Sequence, residues 1–319
     1  MDSERTGVAV TAVRSTHAVF RALSCDAVLL AHLRAPLGRG RVESTYHRVL
    51  NLLLPDGRLM ALAGRDAGDA PWTLVVDTPH WSAYDIEAGQ PVEFTPGRIA
   101  LPGIEIDVDP AEEWHTILPA LGDLTPQHLG VAARSLYALT RAHGEFGGML
   151  GASRNAWPME SVVCAALDEG RAALTRAVLA RDPAGIRDGV LALLGLGPGL
   201  TPAGDDFLTG IAVLSALDGT RLGPFATVLG DVLDERSGRT TLLSATTLRE
   251  ALAGRVRASL ADVLCAIPAT RRQDTAQAAD ALKNPVRRAL AHGHTSGTDT
   301  LSGLVTGLHL EKELRGQQL

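Results

Sequence analysis

The sequence predicts an α+β protein: a β-rich N-terminal domain over residues 1–110, barrel-like or sandwich, followed by a mainly α-helical domain over 111–319. Two textures carry this reading. Up to about residue 110 the apolar residues come in short runs separated by turn residues, as strands do. After "DVDPAEEW" the chain becomes rich in Ala, Leu and Arg at helical spacing. After Trp157 only Phe207 and Phe225 are aromatic, so the C-terminal core must be built from aliphatic side chains.

In chain order the expected strands are "AVLLAHL" (27–33), "RVLNLLL", "LMALAG", "TLVVD", "PVEF", "RIAL" and "IEIDV". Pro55, Asp56 and Gly57 between two apolar runs in "LLLPDGRLMAL" give the clearest hairpin. The first long helix is "TPQHLGVAARSLYALTRAHG", with Thr125 as N-cap, Pro126 in the first turn and Gly144 as its end. "MESVVCAALDEGRAALTRAVLARD" is the second.

Composition narrows the function classes. With 319 residues, 45% hydrophobic, 21% charged and a net charge of −6, the chain can bury a core and lacks a nucleic-acid footprint. "MDSERTGVAV" is not a signal peptide, and no segment is apolar enough to span a bilayer, so no membrane partner and a cytoplasmic location are expected. Cys25, Cys164 and Cys265 stand far apart, against a disulfide framework or a cysteine zinc site. The only lysines are Lys283 and Lys312, both in surface-like text. A phosphate loop of the G-K-[ST] kind and Schiff-base chemistry both need a lysine that the sequence does not place.

The chemistry-bearing text is "GLGPGLTPAGDDFLTG" (195–210). Glycine and proline at this density cost helix or strand stability, so the stretch reads as a shaped loop leading into an apolar helix. It has an echo: "GLTPAGDDFLTGIAVL" (199–214) and "GHTSGTDTLSGLVTGL" (293–308) pair Gly199 with Gly293, Thr201 with Thr295, Gly204 with Gly297, Asp206 with Asp299 and Gly210 with Gly303, with one position inserted in the first copy. Helix starts expose backbone N–H groups and favour anions. Gly197, Gly199, Gly204 and Gly297 let the backbone approach a ligand, while Thr201, Thr295 and Ser296 add hydroxyls. For one copy alone, two capped helices packed through small residues explain as much. The second copy and the adjacent acids Asp205 and Asp206 tip the reading to a site. A third segment, "ERSGRTTLLSATTLREALAGR" (235–255), sets Arg236 and Arg239 before Thr240 and Thr241 at a helix start, suited to a carboxylate or phosphate. A solvated arginine pair beside a threonine cap fits that segment equally.

His292 and His294 form H-x-H, weak as a metal signal without a third ligand; His294 is expected instead as a hydrogen-bond donor to a substrate oxygen. "VLALLGLGPG" superficially matches a dinucleotide fingerprint, but Pro198, Pro202 and the two acids stand where a pyrophosphate would lie.

Together, "GLGPGLTPAGDDFLTG", "RTTLLSATTLREALAGR" and "GHTSGTDTLSGLVTGL" resemble a bacterial family first described as a domain of unknown function and linked to a subunit of the oxamate carbamoyltransferase complex of allantoin degradation. The likeness covers most of the chain, strongest from about 190 to 310. It implies carbamoyl transfer among oxalurate, oxamate, phosphate and carbamoyl phosphate. It also implies a small anionic substrate and other protein subunits, or a homo-oligomer, as partners. On chemical grounds Asp205, Asp206, Asp299 and His294 are then the expected catalytic residues. Gly197, Gly199, Thr201, Gly204, Arg236, Arg239, Thr240, Thr241, Thr295, Ser296 and Gly297 are the expected substrate-binding ones. No cofactor is expected, although paired acids of this kind can hold a divalent cation such as Mg2+. Two alternatives stay open: a non-catalytic subunit binding a small carboxylate or docking a partner, and a Mg-dependent phosphotransferase.

Overall fold

The computed structural model describes residues 18–272 and 275–317; "MDSERTGVAV", where a signal peptide would stand, lies outside the described residues. The chain divides into two compact units, residues 1–67 with 72–113 and residues 68–71 with 114–319.

The first unit is a β-barrel. Its strands are β1 (Ala18–Asp26), β2 (Gly38–Thr45), β3 (Val49–Leu53), β4 (Leu59–Gly64), β5 (Thr73–Val76), β6 (Pro91–Thr95), β7 (Arg98–Leu101), β8 (Ile104–Asp107) and β9 (Glu112–Trp114). They lie in the order β5-β4-β3-β2-β6-β7-β8-β1-β9, and β1 also pairs with β5, which closes the sheet. The pairs β1–β8 and β4–β5 are parallel. Period-two alternation fills the interior: in β6 Val92 and Phe94 are buried while Pro91, Glu93 and Thr95 face out. The Pro55–Gly57 turn joins β3 to β4 in antiparallel register, with Gly57 at φ +84°.

"AVLLAHL" is not the strand its composition suggests. It forms helix α1 (Ala27–Leu33), started by the Asp26 carboxylate, which accepts the Leu29 N–H at 3.3 Å. Leu29, Leu30 and Leu33 then share one buried face. A seven-residue apolar run satisfies either period, and the cap decides. Strand β2, "GRGRVEST", hides for the opposite reason: only Val42 is fully buried, and Gly40 sits so close to the Leu53 carbonyl that no β-carbon fits.

The second unit is helical: α2 (Pro126–His143), α3 (Pro158–Ala180), α4 (Pro183–Leu193), α5 (Ala203–Ser215), α6 (Gly223–Arg236), α7 (Leu242–Leu252), α8 (Ala258–Ala266), α9 (Thr275–Leu290) and α10 (Ser296–Gly316). Thr125 caps α2 by accepting the His128 N–H. Helix α5 runs through the middle, with every residue from Ala203 to Leu214 buried, and packs along α10.

Their crossing is set by glycine. A β-carbon on Gly210 would overlap the Thr300 carbonyl oxygen, and one on Gly303 would overlap the Phe207 carbonyl oxygen. Thr300 and Phe207 occupy matched places in the echo, so each helix meets the other through the same surface, as in a two-fold interface. The match continues outward. Gly204 lies against the carbonyl of Leu193 at the end of α4, and Gly297 against that of Ala289 near the end of α9. Thr209 and Ser302 each donate to the carbonyl four residues earlier. The sequence echo is thus a structural repeat, α4–loop–α5 against α9–loop–α10.

At the far end of α10, Glu311 and Arg315 form a buried ion pair at 2.6 Å. Arg315 also donates to the carbonyls of Leu121, Leu124 and Gly219, and the Arg221 N–H donates to Glu311.

Candidate functional site

The repeat brings Asp206 and Asp299 together one turn before the glycine crossing. Each lies four residues ahead of its glycine, on the same helical face, so the crossing brings the Asp299 charge within reach of Asp206. Asp206 is 7% exposed and Asp299 fully buried. Oδ2 of each has no hydrogen-bond partner among the described residues. Burial pushes Asp206 up to about 8, and the nearby charges of Asp299 and Asp205 add to this; the Ser296 and Thr201 hydroxyls pull the other way. Burial also raises Asp299, to about 6, against the pull of the Met149 N–H, which donates to Oδ1 at 2.7 Å, and of the Thr295 hydroxyl. At neutral pH the pair therefore contains a protonated acid beside a mostly ionised one.

Thr201 and Ser296, one from each loop, share a hydrogen bond of 2.8 Å and face Asp206. Asp205 points elsewhere. It accepts the Gly195 N–H at 2.8 Å and the Thr240 hydroxyl, and burial raises its carboxyl above the ordinary range. Thr241 caps α7 and donates its hydroxyl to the Leu200 carbonyl at 2.8 Å. Asp205, Thr240 and Thr241 thus fasten the 195–202 loop from behind. Gly195, at φ +77°, passes too close to the Arg239 carbonyl for any side chain.

The expected cations lie apart from the carboxyls. Arg236 and Arg239 are exposed, and the Arg239 guanidinium donates to the Leu191 carbonyl at 3.2 Å. The cation that faces Asp206 is Arg257, just ahead of α8. It is half-buried, lowered by burial to about 10 and so still charged at neutral pH, and Asp206 favours that charged form. Among the described residues Arg257 makes no ion pair and no side-chain hydrogen bond. Its guanidinium and Asp206 Oδ2 can therefore both be used by a third group. "GRVRAS" hid Arg257, because an arginine between two Ala/Leu helices looks like a surface residue.

His292 adjoins the same cation. Its ring reaches solvent, yet surrounding protein, and then Arg257, favour the neutral imidazole. His294 is exposed and makes no side-chain hydrogen bond or ion pair among the described residues. Thr295 is the N-cap of α10 without a side-chain capping bond. Gly197, at φ +123°, lies against the Ala203 N–H, whereas Gly199, at φ +100°, borders open space.

The helix starts themselves have few amides to offer. Gly204 N–H donates to Leu196, Asp205 and Asp206 N–H to Pro202, Gly297 N–H to His292 and Asp299 N–H to Thr295. The Arg257 guanidinium and the Thr201 and Ser296 hydroxyls are therefore the donors this region can offer. Among the described residues no group of three or more His, Cys, Asp or Glu stands close enough to hold a metal ion. No helix among them is long and apolar enough to cross a membrane.

A family model described as oxamate carbamoyltransferase subunit AllH matches residues 193–308, and one described as the AllH family N-terminal domain matches residues 21–113. The first match spans both loops, the α5–α10 crossing and Arg257. No solved structure matches the chain.

Proposed function

The chain belongs to the AllH family of oxamate carbamoyltransferase subunits, and from that premise we propose that the α5–α10 crossing is a carbamoyl-transfer centre of that enzyme. The observation that carries the proposal is the pair of buried carboxyls, each with one unpartnered oxygen, opposite an arginine without an ion pair.

In the synthetic direction the amide nitrogen of oxamate attacks the carbonyl carbon of carbamoyl phosphate. A C–N bond forms, the bond from that carbon to the phosphate oxygen breaks, and oxalurate and phosphate leave. The amide nitrogen must lose one proton on the way. Asp299, ionised at neutral pH, suits the proton acceptor, since a base works best with a pKa near the operating pH. Asp206, protonated at neutral pH, suits the donor to the carbamoyl oxygen, where negative charge develops. Arg257 pairs with the oxamate carboxylate or the phosphate, which a planar guanidinium grips with two parallel hydrogen bonds. Thr201 and Ser296 orient the carboxyls and the bound amide. Asp205, Thr240 and Thr241 hold the loop, and the other subunits of the enzyme complete the assembly.

Calorimetric titration of the full chain with oxamate and carbamoyl phosphate tests this. Arg257→Ala should weaken binding by at least tenfold, about 1.4 kcal/mol, and leave the melting temperature unchanged. Asp299→Asn should abolish turnover in the assembled complex with binding kept. Unaltered binding in Arg257→Ala would remove the centre from this crossing. Full turnover in Asp299→Asn would leave it a binding site without a catalytic role.

A further inference from the structure

Helices α2, α3 and α10 line a half-open cavity of about 510 Å3. Its α10 wall is Ser302, Val305, Thr306 and His309; Ser302 and Thr306 border the face that carries Asp299 and Gly303, while Val305 and His309 turn away from it. Nothing in the carbamoyl-transfer reading uses it, and its size is that of a small-molecule site.

Two features single it out. Thr140 is 1% exposed, and its Oγ1 has no hydrogen-bond partner among the described residues. The hydroxyls of Thr175, Ser302 and Thr306 around it each donate to a carbonyl four residues earlier. A buried hydroxyl without a partner is costly unless a ligand supplies one. At the mouth, Arg176 makes no ion pair among the described residues, whereas Arg171 is held by Asp168 at 2.7 Å. Burial, with Lys312 and Arg134 nearby, favours the neutral form of His309. The lining thus offers one uncompensated positive charge, one unused hydroxyl and apolar walls, which matches a monoanion rather than a phosphate.

We infer that this groove binds a small organic monocarboxylate, its carboxylate on Arg176 and its body against Val305 and Leu150. Met149 connects it to the carboxyl pair: it lines the groove, and its N–H is the donor to Asp299. An occupant that presses on Met149 therefore acts on the hydrogen bond that holds Asp299 down.

The chain has four methionines, Met1, Met60, Met149 and Met159, so 13C-methyl methionine spectra of the full chain report the groove directly, with Met149 assigned through Met149→Leu. Titration with benzoate should shift the Met149 methyl saturably. Benzamide, of the same shape without the charge, should bind at least tenfold more weakly. Arg176→Ala should abolish the benzoate response and Arg257→Ala should keep it, which separates this site from the carbamoyl-transfer centre. No Met149 shift, an equal response to benzamide, a response that survives Arg176→Ala, or one lost in Arg257→Ala would each overturn the inference.

Discussion

Replacing Asp206 by Asn should make the protein more stable, and the gain should grow with pH. Burial holds the Asp206 carboxyl at about 8 against an ordinary 3.8. Between those values the native state keeps a proton that the unfolded chain has released. Stability therefore falls as pH rises from about 4, and the fall ends once pH passes about 8. At about 1.4 kcal/mol per pH unit, the whole span is on the order of 5 kcal/mol, roughly half of it between pH 5 and 7. Asparagine has the same shape and does not ionise in either state, so the variant escapes this loss. For a unit of this size each kcal/mol moves the melting temperature by roughly 2–4 °C. The variant should then melt on the order of 10–20 °C higher at pH 8 and close to the parent at pH 4. Thermal and denaturant unfolding of both chains across that range is the assay. A stability difference that does not change with pH would refute the protonated carboxyl, and with it the acid role of Asp206. If the proposed acid role holds, the same substitution should remove turnover, so that stability and activity move in opposite directions.

Three further outcomes follow from the geometry. Gly210→Ala or Gly303→Ala drives a methyl into a backbone carbonyl that has nowhere to go, so each should cost at least about 3 kcal/mol, read from denaturant midpoints. Glu311→Ala strands Arg315, and the Arg221 N–H, in the interior; breaking a buried pair costs about 3–5 kcal/mol, and a loss under 1 kcal/mol in urea unfolding would contradict this pairing. Arg239→Ala gives up one exposed bond to the Leu191 carbonyl, worth about 1 kcal/mol, and should leave oxamate affinity intact by calorimetry.

Much of the architecture was legible because local signals were strong. The Pro55–Gly57 hairpin, the Thr125–Pro126 helix start and the short strand "PVEF" each depend on neighbouring residues alone. What escaped depended on distant partners. "AVLLAHL" was decided by the Asp26 cap, and β2 by the closeness of Gly40 to Leu53. At the site, the echo located Asp206 and Asp299 because a repeated motif is visible in one dimension. Arg257 was not visible, since its importance lies in facing Asp206 from a segment about fifty residues away. Arg239 carried a stronger sequence signal and turned outward, because its backbone, rather than its guanidinium, packs against Gly195. Charge at a helix start indicates where an anion would be favoured, but only packing decides which cation meets it.

The repeat supplies two carboxyls on equal terms, and the departures from symmetry make them unequal. The loop before α5 has nine residues (194–202) and that before α10 has five (291–295). The longer loop carries Thr201 over to Ser296, so Asp206 meets two hydroxyls, with the Asp205 charge beside it. At the place matched to Asp205 the second copy has Thr298, whose hydroxyl accepts the Glu145 N–H. Asp299 has no acidic neighbour of that kind and gains a backbone donor from outside the repeat, the Met149 N–H. A carboxylate is stabilised more by an amide donor than by a hydroxyl that must choose between partners, and it is destabilised by an adjacent acid. Burial raises both carboxyls first, and these differences add to it in one direction, with Asp206 at about 8 and Asp299, also held by the Thr295 hydroxyl, at about 6. Acid–base chemistry at neutral pH needs two groups of one kind with their proton affinities pushed apart. In the proposed carbamoyl-transfer centre, the glycine crossing would supply the two carboxyls and the unequal loops would set one as acid and the other as base.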